Sequence, residues 1–71
     1  MTKITNDWVW EIKYIKQADA SEQKILEVKN EAITQINRYK TSNLFKDRTD
    51  VRYLAVVFIG KKNYWIEEVS G

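Results

Sequence analysis

The chain has 71 residues, 12 of them Lys or Arg and 10 Asp or Glu, for a net charge of +2, and it contains neither cysteine nor histidine. It is expected to form a single small domain, hiding only roughly 60% of the surface that its open chain exposes, without disulfide staples, Cys/His zinc sites or any nucleophile paired with an imidazole. Charges of both signs are interspersed, so no segment reads as a nucleic-acid or membrane tail, and any chemistry must use carboxylates, lysine, hydroxyls or a metal on oxygen ligands.

Met1 to Asp7 lacks the apolar stretch of a secretory signal, and the first element begins at Trp8. From there to Ile15, alternation separates Trp8, Trp10, Ile12 and Tyr14 from Val9, Glu11, Lys13 and Ile15, which predicts a strand with one wholly apolar face. Asp19, with Glu22 three residues on, has the spacing of a capping box and opens a helix over about residues 20–41. Ile25, Val28, Ala32, Ile36 and Tyr39 form its apolar stripe, flanked by Leu26 and Ile33, at the 3.6-residue period of a helix lying on a sheet. Ser42 and Asn43 end it, and the short amide of Asn43 suits a left-handed cap. Residues 44–50 read as a loop. Residues 51–59 read as a strand buried on both faces, because the run after Tyr53 carries no polar side chain. A turn at 60–63 and a returning strand at 64–69 complete the chain. The longest apolar run, Leu54 to Ile59, is too short to cross a bilayer, so a soluble, cytoplasmic protein with no membrane contact is expected.

Strand, long helix, buried strand is a crossover unit, expected to be right-handed and to bring its two strands into parallel register. The predicted fold class is α/β: a strand-helix-strand-strand (βαββ) domain over residues 1–71, with one long helix on a small mixed sheet and an antiparallel hairpin at its C-terminal end.

Glu11 and Lys13 lie two apart on the first strand, so both side chains leave the same face, about 7 Å apart along the chain. A carboxylate is a hard-oxygen ligand for Mg²⁺, and a neighbouring ammonium can orient water or offset charge growing on a phosphate. The spacing alone is cheap. Glu22-Gln23-Lys24 and Glu27-Val28-Lys29 share it, although on a helix residues i and i+2 point about 200° apart and cannot converge. An ordinary cross-strand or solvated ion pair would give the same pattern at Glu11 and Lys13.

A strand ending in E-x-K, followed by a long helix, a hydrophobic strand and an antiparallel partner, resembles the second half of the PD-(D/E)xK nuclease core, here from about Trp8 to Val69. Trp10-Glu11-Ile12-Lys13-Tyr14 followed by Ala32-Ile33-Thr34-Gln35-Ile36-Asn37-Arg38-Tyr39 resembles the nuclease-like C-terminal domain found fused to AAA-ATPase-like modules in bacterial proteins. Gln35 and Tyr39 fit the Q-x-x-x-Y motif of members related to the RecB nuclease. The resemblance implies Mg²⁺-dependent phosphodiester hydrolysis, with Glu11 and the backbone carbonyl of Ile12 as metal ligands and Lys13 at the attacking water or phosphate. It also implies that Gln35 bonds a water or substrate and that Tyr39 contacts a phosphate. Residues four apart share a helix face, so the last two can serve one site; a core tyrosine and a boundary amide are the plain alternatives.

The family's second metal carboxylate comes from the strand preceding E-x-K, and with only seven residues before Trp8 that hairpin is expected to be absent. Asp7 cannot replace it, since four residues along a strand span about 13 Å whereas Mg²⁺ ligands sit about 2 Å from the ion. The chain alone is therefore expected to be an inactive fragment that binds magnesium weakly. Loss of the hairpin would bare the edge of the first strand and the face bearing Trp8, Trp10, Ile12 and Tyr14, which points to a homodimer through that surface. A non-catalytic module whose strand aromatics stack bases or dock a partner is the alternative function, although the glycine-aromatic signature of RNA-recognition folds is missing. Lys46, Arg48, Lys61 and Lys62 read as solvated loop and turn charges, with nucleic acid as a less favoured partner.

Overall fold

The computed structural model describes residues 1–5 and 7–69. Its elements are β1 (Thr2–Thr5), β2 (Trp8–Ile15), a 3₁₀ turn (Gln17–Asp19), α1 (Glu22–Lys40), β3 (Arg52–Ile59) and β4 (Asn63–Glu68). The strands form one four-stranded sheet in the order β1-β2-β3-β4. β2 and β3 are parallel from Trp8↔Arg52 to Ile15↔Ile59, while β3 and β4 are antiparallel from Leu54↔Glu68 to Ile59↔Asn63. The α/β architecture expected from the crossover pattern is present. No helix among the described residues is long and apolar enough to cross a membrane.

β1 is the departure from the sequence reading, which left a bare edge there. Thr2, Ile4 and Thr5 are β-branched and suit an extended backbone, and the segment pairs antiparallel with β2 from Thr2↔Glu11 to Thr5↔Trp8. The ladder continues one step further, since Ile12 N donates to Met1 O at 2.7 Å and Met1 N donates to Ile12 O at 2.6 Å. A strand does precede E-x-K, and it covers the β2 edge over the segment that was expected to be open.

Two corrections apply to α1. Asp19 falls in the 3₁₀ turn, and the N-cap is Ser21, whose side chain accepts from Lys24 N at 3.1 Å and so satisfies one of the orphan amides of the first turn. Asn43 takes no left-handed conformation, because no described residue other than glycine has positive φ. Hydroxyls close the C-terminus instead, with Thr41 Oγ1 donating to Arg38 O at 3.1 Å and Ser42 Oγ to Tyr39 O at 2.7 Å.

The core lies between α1 and the odd-numbered face of the sheet. Val9, Ala32, Ile36, Phe45, Tyr53 and Ala55 form one cluster, while Ile15, Val28 and Val57 form another, with Trp65 touching both. Ile36, Val9 and Val57 are fully enclosed, so truncating Ile36 to alanine should cost about 2–5 kcal/mol. Phe45, in the segment read as a plain loop, inserts its ring into this core. No helix among the described residues lies over the even-numbered face. β3 is therefore not buried on both faces as its composition predicted; Val56 is enclosed by its neighbours, whereas Phe58 remains 38% exposed.

Candidate functional site

Alternation along β2 sends Val9, Glu11, Lys13 and Ile15 to the helix side of the sheet. Glu11 consequently lies under α1 and is only 3% exposed. A carboxylate in such a place must be partnered, and three groups surround it. Thr2 Oγ1 donates to Oε1 at 2.6 Å, Lys13 Nζ lies 3.6 Å from Oε2, and Met1 N lies 4.0 Å from Oε2. The two oxygens are thus differentiated: Oε1 is held by a hydroxyl and Oε2 faces positive charge.

Gln35 and Tyr39 arrive from α1, one turn apart on the margin of its buried stripe. Gln35 Nε2 donates to Tyr39 Oη at 3.4 Å, and Tyr39 Oη lies 2.7 Å from Thr2 Oγ1. The direction of that last bond follows from counting protons. Thr2 has a single hydroxyl proton and gives it to Glu11, so Tyr39 must be the donor to Thr2. Gln35, Tyr39, Thr2 and Glu11 form one directed chain, and no buried side-chain polar atom among the described residues is left without a partner.

The structure therefore brings together Glu11, Lys13, Gln35 and Tyr39, which the sequence singled out, and adds Thr2, which it did not. Asn6-Asp7 between a β-branched run and Trp8 is the turn signal that could have exposed the hairpin, and with it the register Thr2↔Glu11. Tyr39 reaches the carboxylate only through Thr2. Beside the network, Lys13, Gln35 and Arg38 share an open groove of about 540 Å³ with Glu27 and Glu31. Asp7 is excluded from the site, since its carboxylate pairs with Arg48 at 3.8 Å and is 65% exposed. Of the basic spots, Arg48 is bound to Asp50 at 2.9 Å, while Lys46, Lys61 and Lys62 are exposed in loop and turn.

Among the described residues no three acidic, histidine or cysteine side chains gather to hold a metal. Ile12 O and Glu11 Oε2 lie 2.6 and 4.0 Å from the Met1 nitrogen, so an ammonium already stands beside both oxygens. Carboxylate and carbonyl oxygens are the hard donors that a divalent cation takes, and one bound here would have to displace the Met1 ammonium.

A family model described as the PD-(D/E)XK nuclease superfamily matches residues 1–68. The match takes in β1 as well as the E-x-K strand and everything after it. A search of curated proteins and a search of solved structures each give no match. With nearly the whole chain matched, and with Glu11 and Lys13 side by side on β2 beneath the helix carrying Gln35 and Tyr39, the chain belongs to the PD-(D/E)XK nuclease superfamily.

Proposed function

We propose that this domain contributes the E-x-K half of a metal-dependent phosphodiesterase site acting on DNA or RNA, in a protein that supplies a second metal carboxylate. The observation that carries this reading is the pairing of a buried Glu11 with Lys13 at 3.6 Å, beside the open groove shared with Gln35. Glu11, through Oε2, and the Ile12 carbonyl would hold Mg²⁺, which when bound supplies Lewis-acid stabilisation of a phosphoryl oxygen. Lys13 orients the attacking water or offsets charge growing on the phosphate, and its partial exposure, 32%, lets it reach substrate. Gln35 has an amide proton beyond the one given to Tyr39 for a water or phosphate oxygen.

A single carboxylate holds Mg²⁺ weakly, so the chain by itself is expected to bind it in the millimolar range and to cleave nothing. Titration of Mg²⁺ into ¹⁵N-labelled chain should move the Ile12 and Lys13 amides, and Glu11→Gln should abolish the movement. Shifts confined to the Glu27 and Glu31 region, or Glu11-dependent cleavage by the pure chain, would overturn this reading.

A second reading, association through strand aromatics, rests on the helix-free sheet face. Tyr14 and Tyr64 there are 69% and 66% exposed, and Ile66 is 50% exposed, beside Trp8, Trp10 and Ile12. Strands of these lengths span a sheet face of about 500 Å², wide enough for a second sheet to pack on it. Two such faces stacked bury about 1,000 Å², the threshold of specific association. Arg52 is bound by two hydrogen bonds to Glu68 and lies over the Trp8 ring, so the face is neutral apart from Lys3 at its margin and suits a second copy of this chain better than a phosphate backbone. Sedimentation should give a dimer that Trp10→Lys and Phe58→Lys each dissociate. A stable wild-type monomer, or dimers retained in both variants, would overturn it.

A further inference from the structure

We propose that Thr2 is a positioning residue for Glu11, transmitting the orientation of the Gln35–Tyr39 pair to the carboxylate and keeping Oε2 on the side of Lys13, where it would be available to a metal ion. This deepens the metal-site reading and rests on it.

The geometry supplies the reasons. Thr2 stands directly across the strand pair from Glu11, and among the described residues its hydroxyl is the one hydrogen-bond donor to Oε1, at 2.6 Å. A carboxylate with two free oxygens can rotate about its terminal torsion, which is broad and nearly two-fold. With Oε1 tied down, the remaining oxygen is the one 3.6 Å from Lys13 Nζ and 4.0 Å from Met1 N. Thr2 is itself fixed, because its β-branched side chain has few rotamers and its oxygen accepts from Tyr39 at 2.7 Å. Tyr39 in turn is held by Gln35 one helical turn back. Helix α1 and strand β1 thus meet at one hydroxyl, and neither would orient Glu11 alone. Partners of a metal ligand that hold its orientation in this way typically carry ~10–100-fold of metal affinity.

The test uses the 71-residue chain and Mn²⁺ as probe, read by paramagnetic broadening of the Lys13 amide, with the Tyr39 hydroxyl proton followed in metal-free samples. Wild type and Thr2→Ser should broaden at the same Mn²⁺ concentration, Thr2→Val should need ~10-fold more or beyond, and Glu11→Gln should not respond. Tyr39→Phe, which leaves Thr2 in place but free to turn, should weaken binding several-fold. In the metal-free protein, the Tyr39 hydroxyl proton should be protected from exchange in wild type and lost in Thr2→Val. Wild-type affinity in both Thr2→Val and Tyr39→Phe, with Glu11→Gln silent, would overturn the role of Thr2 and leave the metal site standing. An unprotected Tyr39 hydroxyl in wild type would overturn the relay whatever the metal does. Equal broadening in wild type and Glu11→Gln would remove the metal site, and this proposal with it.

Discussion

Tyr39 on α1 and Thr2 on β1 are 37 positions apart in sequence, yet their hydroxyl oxygens stand 2.7 Å from one another. The contact ties the helix to the edge strand at the point where the carboxylate is held. Tyr39→Phe removes one donor and leaves the Thr2 acceptor empty, so it should cost about 0.5–1.5 kcal/mol. Chemical denaturation of the two proteins measures this, with an unchanged dependence on denaturant expected.

Glu11 and Lys13 should respond in opposite ways to apolar replacement. Lys13→Met leaves a nearly enclosed carboxylate without the nearer of its two ammonium neighbours and should destabilise by about 1–3 kcal/mol. In Glu11→Leu the lysine left behind is 32% exposed and can turn to solvent, while the buried charge is gone, so stability should hold or rise. A matched pair of melting curves decides the point, and Glu11→Leu melting well below Lys13→Met would contradict it. A group whose removal costs activity but not stability is retained for chemistry.

Gly60 ends β3 at φ +64°, and its amide donates to Ile15 O at 2.8 Å. This left-handed backbone disfavours any residue with a Cβ, so Gly60→Ala should cost about 1–2 kcal/mol. The added methyl also meets the Gln17 side chain, but that flexible amide can move aside. Gln17→Ala should therefore rescue little of the loss, as thermal unfolding of the double variant would reveal.

The pH dependence follows from charges outside the site. The hydrogen bond from Arg52 holds the Glu68 carboxyl below its ordinary range, and Arg48 does the same to Asp50. A carboxyl lowered in the folded state favours folding above its unfolded value, and the gain disappears as pH falls through the folded one. Stability should decline modestly on acidification below the ordinary carboxylate range. The decline should shrink in high salt and in Arg52→Gln, because both pairs are exposed and screened. Burial pushes Tyr53 upward from its usual value near 10. The folded state therefore resists its ionisation, and stability should also fall at alkaline pH, above about 10. Urea midpoints across pH check both limbs.

Strong periodicity made most of the architecture legible. β2 runs over the residues its alternation predicted, and β3 and β4 are shifted by one residue at their starts. The helix start was ambiguous because Asp19 and Ser21 are both good caps, and only the 3₁₀ turn that absorbs Asp19 decides between them. β1 was hidden by its composition: Ile4 is its single large apolar residue, so a period of two had nothing to mark it. Missing β1 meant missing Thr2, and without Thr2 the link from Tyr39 to Glu11 cannot be seen. The burial of Glu11 was equally illegible, since a Glu-x-Lys strand face reads as solvated until a helix is laid over it.

Whether Glu11 is the metal carboxylate of a phosphodiesterase site is decided by cleavage of plasmid DNA and of RNA by the longest natural protein containing this domain, wild type against Glu11→Gln. Wild type should cleave in a Mg²⁺-dependent manner, and Glu11→Gln should lower the rate by roughly 100-fold or more while substrate binding persists. Cleavage undiminished by Glu11→Gln, or surviving removal of divalent metal by chelation, would contradict it.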